Sequence, residues 1–204
     1  MGVYYQRVEQ FLPKIANKNW VEIGVERGEG STRWFANRCE KLTAIDALES
    51  QAKNCQALLE KFNITNTTVV HAFGEEWASE YSGDPIDLLY LDNFDWNYWL
   101  DRGAEDPRFG GYDINGAKEL YLTELDTELT NLTSQYTHLE QMMLLIDHMS
   151  EKSIVICDDT WFEPATGIFV GKCSAVIPYL LLQGYALVDY QGYRQNSGAI
   201  MIRE

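Results

Sequence analysis

Apolar and polar positions follow two rhythms along this chain: short, nearly unbroken apolar runs and longer stretches of helical spacing. Trp20–Ile23, Leu42–Asp46, Thr67–His71, Ile86–Asp92 and Ser153–Asp158 have the length and the β-branched or apolar content of strands. Ala186–Asp189 and Ala199–Ile202 add two closing strands. The run Ile86-Asp-Leu-Leu-Tyr-Leu-Asp92 is almost continuously apolar, as a strand covered on both faces should be. Between these runs, 4–17, 31–38, 50–62, 137–149 and 173–183 read as helices. Tyr5, Val8, Phe11 and Leu12 share a face of the first, and Ser31 or Thr32 stands near the cap of the second. Strands alternating with helices predict an α/β fold built on a doubly wound, mostly parallel seven-stranded sheet, in which ligands sit beyond the carboxyl ends of the strands. No repeat or linker interrupts residues 1–204, which are expected to form a single domain.

Residues 93–135 break that rhythm and are longer than an ordinary connection, so they read as an insertion after the fourth strand with a helix of its own over 117–133. Phe94, Trp96, Tyr98, Trp99, Phe109, Tyr112, Tyr121 and Tyr136 crowd this region, among Asp95, Asp101, Asp106 and Asp113. Such aromatics can form a lid or an acceptor pocket. They can equally pack the insertion onto the sheet or onto a second copy in a homodimer.

Charge narrows the partners. The 16 Lys+Arg against 31 Asp+Glu leave a formal net charge of −15, and no basic run is visible. Nucleic acid is held by Lys and Arg against its phosphates, so no nucleic-acid partner is expected. No stretch approaches the roughly 18 apolar residues of a membrane span, so no membrane partner is expected either. The segment MGVYYQRVEQFLPKI lacks a secretory pattern, and Gln6 replaces the Ser or Thr of a myristoylation motif. Cys39, Cys55, Cys157 and Cys173 form no Cys-x-x-Cys pair and read as reduced thiols rather than zinc ligands. A cytoplasmic protein is the expectation, so the glycosylation sequons at Asn63, Asn66 and Asn131 carry no weight.

The candidate chemistry begins where the first strand runs into Gly24-Val-Glu-Arg-Gly28-Glu-Gly30-Ser-Thr. These glycines let the backbone turn and approach a ligand closely, and the helix start offers free N–H groups. The dinucleotide fingerprint G-x-G-x-x-G is not met, because Glu26 stands at its second glycine. Glu22, Glu26 and Glu29 would repel a pyrophosphate and suit a ligand with a cationic centre, an amino group and ribose hydroxyls. An ordinary strand-to-helix turn remains the alternative. Asp46 ends the next strand, where a carboxylate can accept ribose hydroxyls.

Taken in order, Glu22-x-Gly24-x-x-x-Gly28-x-Gly30, Asp46 and Phe73-Gly74-Glu75 resemble class I S-adenosylmethionine-dependent methyltransferases, a Rossmann-like family. Ile86–Asp92, Ser134-Gln-x-x-His138-Leu-Glu140, Ser153–Thr160 and Gly171-Lys172…Pro178…Gly184-Tyr185 are similar to a bacterial branch of that family, and the resemblance spans roughly residues 18–202. Glu26 departs from the commoner glycine. The resemblance implies S-adenosylmethionine as cofactor, with Glu22 and Gly24 bordering its methionine moiety, Gly28 and Gly30 in the same cofactor-binding loop, Asp46 on the ribose and Gly74-Glu75 along the adenine. Asp92 would face the transferred methyl.

Methyl transfer is an in-line displacement that needs alignment and a nucleophilic acceptor. A hydroxyl acceptor must lose its proton to a base or to a metal that lowers its pKa. Asp92, Asp158 and Asp159 end adjacent strands and could hold one Mg²⁺, as in metal-dependent O-methyltransferases of this fold; capping of the following turn is the alternative. His138, heading a helix after the insertion, is the candidate base beside Asp92, though it could simply cap. Trp161-Phe162 would wall the same pocket. The expected activity is methyl transfer to a small-molecule hydroxyl. A cofactor-binding sensor without chemistry is the alternative, and a nicotinamide-dependent oxidoreductase is disfavoured by the glycine spacing.

Overall fold

A computed structural model describes residues 4–26, 28–96, 113–191 and 197–204. Seven strands form the main sheet: β1 (Asn19–Ile23), β2 (Lys41–Asp46), β3 (Thr67–His71), β4 (Ile86–Leu91), β5 (Met149–Asp158), β8 (Ala186–Tyr190) and β9 (Gly198–Arg203). Their order is β3-β2-β1-β4-β5-β9-β8, parallel from β3 to β5, with β9 antiparallel to both its neighbours. The mostly parallel seven-stranded α/β sheet expected from the sequence is therefore present.

Burial explains the strand sequences. All six residues of β4 and all five of β1 are buried, because helices cover both faces of the central sheet. Side chains alternate between those faces. Val21, Ile23, Leu89, Leu91, Val155 and Met201 meet one set of helices, α3 (Gly74–Ser79), α5 (Asn131–Leu145) and α6 (Val176–Leu182). Trp20, Leu42, Leu88, Tyr90, Ile154 and Ile202 meet α1 (Ser31–Ala36) and the amino-terminal segment. There Phe35 sits between Trp20, Tyr5, Trp34 and Tyr90, with ring centroids 5.3–5.8 Å away. The helix α2 (Glu49–Lys61) covers β2 and β3 through Cys55 and Leu59.

Four local features differ from the sequence reading. Residues Tyr4–Lys14 form a 3₁₀ helix, tighter than the expected α-helix, and bury Tyr4, Tyr5, Val8 and Leu12. The stretch expected as one helix over 117–133 is divided between α4 (Ile114–Leu125) and the start of α5. Asp126 takes a left-handed φ of 48° and ends α4, and a reciprocal Thr130–Thr133 capping box opens α5. Strand β5 starts at Met149, four residues before the expected Ser153, beside an irregularity at Asp87. The Asp87 carboxylate accepts from Lys18 N, Asn19 N and Ser150 Oγ and so stitches that irregularity. Finally, β6 (Thr160–Glu163) and β7 (Ile168–Gly171) form a hairpin in a stretch to which the sequence reading assigned no element.

Of the segment 93–135 expected to be an insertion, residues 97–112 lie outside the described residues, and with them Tyr98, Trp99, Phe109 and Tyr112. Helix α4 is described. Its Tyr121 and Leu125 pack with Phe94 against Ala47, Leu48 and Phe73, over the carboxyl ends of β2–β4. No described helix is long and apolar enough to cross a membrane.

Candidate functional site

A cavity of about 350 Å³ opens at the carboxyl ends of β1, β2, β4 and β5. Its lining runs along the sheet order from Asp46 at the end of β2, past Gly24 at the end of β1, to Asp92 and Asp158 at the ends of β4 and β5 with Lys172 beside them. Apolar walls come from Ile45, Leu48, Phe73, Phe94, Tyr121 and Leu125.

The glycine loop is laced into the sheet. Gly24 has φ +94°, donates its N–H to Ile45 O at 2.8 Å, and presses on β4 so closely that a Cβ would collide with the Asp92–Asn93 backbone. Glu26, the residue in place of a glycine, also adopts a left-handed φ, of 47°. Asp46 holds that conformation. Its Oδ2 accepts from Val25 N at 3.0 Å and Glu26 N at 3.2 Å, and its Oδ1 accepts from Leu48 N at 2.9 Å. Burial raises the Asp46 pKa, against the lowering effect of those three amides. The carboxylate keeps acceptor capacity on Oδ1 toward the cavity it lines.

Gly74 lines the cavity because helix α3 starts there, tight against Ile23 and Gln141; a Cβ would lie 2.6 Å from Ile23 Cγ2. Glu75 points away and accepts from Gln141 Nε2 at 3.2 Å. Gly28 is also off the lining and packs on Cys55, 2.7 Å from its Sγ to where a Cβ would stand. Glu22 lies beneath the loop and is fully buried on the α1 face of β1, behind the lining. Neither carboxyl oxygen has a well-formed hydrogen bond, and burial pushes its pKa up to about 8, against the nearby Ser31 and Thr32 hydroxyls.

At the other end, Asp92, Asp158 and Asp159 converge as the sequence suggested, with one carboxylate oxygen from each lying within 4.8 Å of the others. Lys172, given no role from sequence, reaches into the cluster. Its Nζ lies 2.8 Å from Asp92 Oδ1, 3.3 Å from Asp92 O and 3.4 Å from Asp159 Oδ2. The three aspartates hold the buried ammonium's pKa well above its usual range, overriding desolvation. Asp158 is pushed well above the carboxylate range by burial first, then by the charges of Asp92 and Asp159. Tyr90 donates its hydroxyl to Asp92 Oδ2 at 3.0 Å. Trp161 meets Trp96 edge-on at 5.2 Å beside this end.

His138 does not join them. It is fully buried in α5, its Nδ1 is 2.6 Å from Ser134 O, and burial drives its pKa down to about 3. Such a ring is neutral at pH 7 and does not line the cavity.

No protein-family model and no curated protein matches this sequence. Solved structures do match in fold. A Streptococcus mutans protein described as a methyltransferase, in complex with S-adenosylhomocysteine, is 15% identical with a TM-score of 0.61, over 100% of this chain and 99% of that one. The N-methyltransferase NodS of Bradyrhizobium japonicum is 15% identical with a TM-score of 0.58, covering 98% of this chain and 93% of that one. An rRNA methylase of Streptococcus thermophilus is 14% identical with a TM-score of 0.57, covering 100% and 97%. The chain thus has the α/β fold of solved methyltransferases. These neighbours do not share one acceptor, so the likeness leaves the expectation of no nucleic-acid partner without support.

Proposed function

We propose that this chain is an S-adenosylmethionine-dependent methyltransferase acting on a small-molecule hydroxyl. The observation that carries the reading is the cavity itself, with Asp46 at one end, the Asp92–Lys172 cluster at the other, and an apolar wall between. Glu26, Asp46, Asp92, Asp95, Asp158 and Asp159 line it against one cation among the described residues, Lys172. That surface suits a ligand bearing a sulfonium, an ammonium and ribose hydroxyls, and is hostile to a pyrophosphate. Asp46 Oδ1 would take a ribose hydroxyl, the loop at Gly24 and Gly30 the amino-acid end, and Leu48 with Phe73 the purine.

When bound, the cofactor supplies a methyl group on cationic sulfur. The chain supplies alignment and proton removal. Asp92, ion-paired to Lys172, is the carboxylate placed to accept the acceptor's hydroxyl proton. Its carboxylate is oriented from two sides, by Tyr90 Oη on Oδ2 and Lys172 Nζ on Oδ1. Phe94, Tyr121 and Leu125 cover the cavity and reduce water beside the reacting groups. The net charge of −15 supports a small acceptor over a polyphosphate backbone.

Calorimetric titration with S-adenosylmethionine tests the cofactor. Micromolar affinity, about −8 kcal/mol, is expected, with a loss of at least about tenfold in Asp46→Ala. Full affinity in that variant would refute the ribose assignment. Binding without turnover on hydroxylated acceptors would favour the sensor alternative, and turnover on RNA alone would refute the small-molecule acceptor.

A further inference from the structure

The structure assigns Lys172 the place of a divalent cation: its ammonium neutralises Asp92 and Asp159, and the acceptor end of the cavity works without Mg²⁺. Three converging carboxylates would ordinarily invite a hard cation, which takes oxygen ligands at roughly 2.0–2.1 Å and keeps several waters. Here Lys172 Nζ already stands at 2.8 Å from Asp92 Oδ1 and 3.4 Å from Asp159 Oδ2. A divalent ion bound by the same oxygens would sit within a few ångströms of a buried ammonium, and the like charges would repel strongly in that low-dielectric setting.

The lysine is placed by the backbone and is no chance surface contact. Gly171 has φ +112° and lies so close to Asp159 O that any Cβ would collide with it. Lys172 N donates to Asp159 O at 3.2 Å, Cys173 N donates to Thr160 Oγ1 at 3.0 Å, and Thr160 Oγ1 donates to Asp158 O at 2.9 Å. The end of the β6–β7 hairpin is thereby stitched to the end of β5, and the lysine stem is directed to Asp92. Its side chain is only 6% exposed, which a four-carbon ammonium tolerates when ion-paired. Lys172 is in this sense a positioning residue: it acts through Asp92, pairing with that carboxylate and orienting it toward the cavity. Its role in the reaction rests on the methyl-transfer reading, whereas its exclusion of a divalent ion does not.

The test uses Mn²⁺ alone, followed by electron paramagnetic resonance, on the full chain. Wild type and Lys172→Arg are expected to hold no Mn²⁺ below about 1 mM. Lys172→Met, which keeps the stem and removes the charge, should gain at least about tenfold in Mn²⁺ affinity, and adding Asp159→Asn should abolish the gain. Tight Mn²⁺ binding by wild type, lost in Asp159→Asn, overturns the inference. So does a folded Lys172→Met that gains nothing. The wild-type and Lys172→Arg titrations decide alone if Lys172→Met does not fold. In turnover, Lys172→Met should lose kcat with KM for the cofactor nearly unchanged, and Lys172→Arg should restore part of it; a merely structural lysine would move neither Mn²⁺ affinity nor that split. Titrating the same samples with S-adenosylmethionine separates the two ideas, because failure to bind the cofactor removes the methyl-transfer reading and leaves the Mn²⁺ result standing.

Discussion

Glu22→Gln should make the protein more stable at neutral pH, and the size of the gain follows from the burial of one carboxyl. Glu22 is fully buried, lacks a well-formed hydrogen bond on either oxygen, and has its pKa raised from 4.5 to about 8. In the unfolded chain the group ionises at its ordinary value, while in the folded chain it gives up its proton only at about pH 8. The stabilising contribution of the neutral acid is therefore complete below pH 4.5 and is lost as the pH climbs toward 8. Each pH unit in that window costs about 1.4 kcal/mol. Between pH 4.5 and pH 7 the wild type should lose about 3 kcal/mol relative to Glu22→Gln, levelling near 5 kcal/mol above pH 8. Asp46 and Asp158 also have raised values, so both proteins share their contributions and the difference isolates Glu22. Urea unfolding of the two proteins at pH 5, 6, 7 and 8 measures it. Parallel stability–pH curves, or a Glu22 carboxyl carbon titrating near 4.5 by NMR, would refute the reasoning.

Three further outcomes follow from the same geometry. Asp92→Asn should lower kcat by about 100-fold or more, the usual worth of a positioned base, while the cofactor affinity seen by calorimetry changes far less; an equal loss in both would place Asp92 in binding alone. Gly24→Ala forces a Cβ into the Asp92–Asn93 backbone at φ +94°, and should cost about 3 kcal/mol or more in urea unfolding; a cost under about 1 kcal/mol would mean that β4 yields easily. Phe35→Ala empties the space between four aromatic rings and should cost about 3–5 kcal/mol, read as a fall in thermal midpoint; a cost under about 1 kcal/mol would mean that the rings close over the space.

The sheet was legible because burial on both faces leaves a plain sequence mark. Strands β2, β3 and β4 fall within a residue of their expected bounds: β4 is apolar but for Asp87, whose carboxylate is held by three hydrogen bonds, while β3, at the sheet edge, is only half-buried and shows instead by its β-branched residues. What failed to show were boundaries set by single conformations or by distant partners. Apolar spacing continues from α4 into α5, so the break at Asp126 depends on one left-handed residue and a Thr–Thr cap that periodicity does not register. The extension of β5 back to Met149 depends on Asp87 binding Ser150, a contact across 63 positions. The hairpin turn at Pro164–Gly167 carries turn chemistry, yet its strands are only four residues each and lie below the length at which alternation is readable.

The site divides along the same line. Gly24, Asp46, Gly74 and the three aspartates reach the cavity because each sits at or just past a strand end, and chain order alone places strand ends at one rim, while Gly30 reaches it as the residue that opens α1. Glu22 falls out for a reason of parity: it shares a face with Trp20, so its carboxyl turns toward α1 and not outward. Lys172 was invisible because its partner is 80 positions away, and charge composition cannot say which lysine is buried. One backbone feature ties the rim together. Glu26, Phe94 and Asp159, none of them glycine, all adopt left-handed φ, at 47°, 54° and 41°, just beyond β1, β4 and β5. Each such conformation costs on the order of 1–3 kcal/mol and persists only where neighbours impose it. Here the neighbours are visible: Asp46 on Glu26 N, Lys172 N on Asp159 O, and the Phe94 ring packed on Tyr121, whose hydroxyl accepts from Asp95 N. Strain gathered at three adjacent strand ends, each imposed by a residue that also lines the cavity, is what a pre-formed binding rim requires and what a plain turn has no reason to keep.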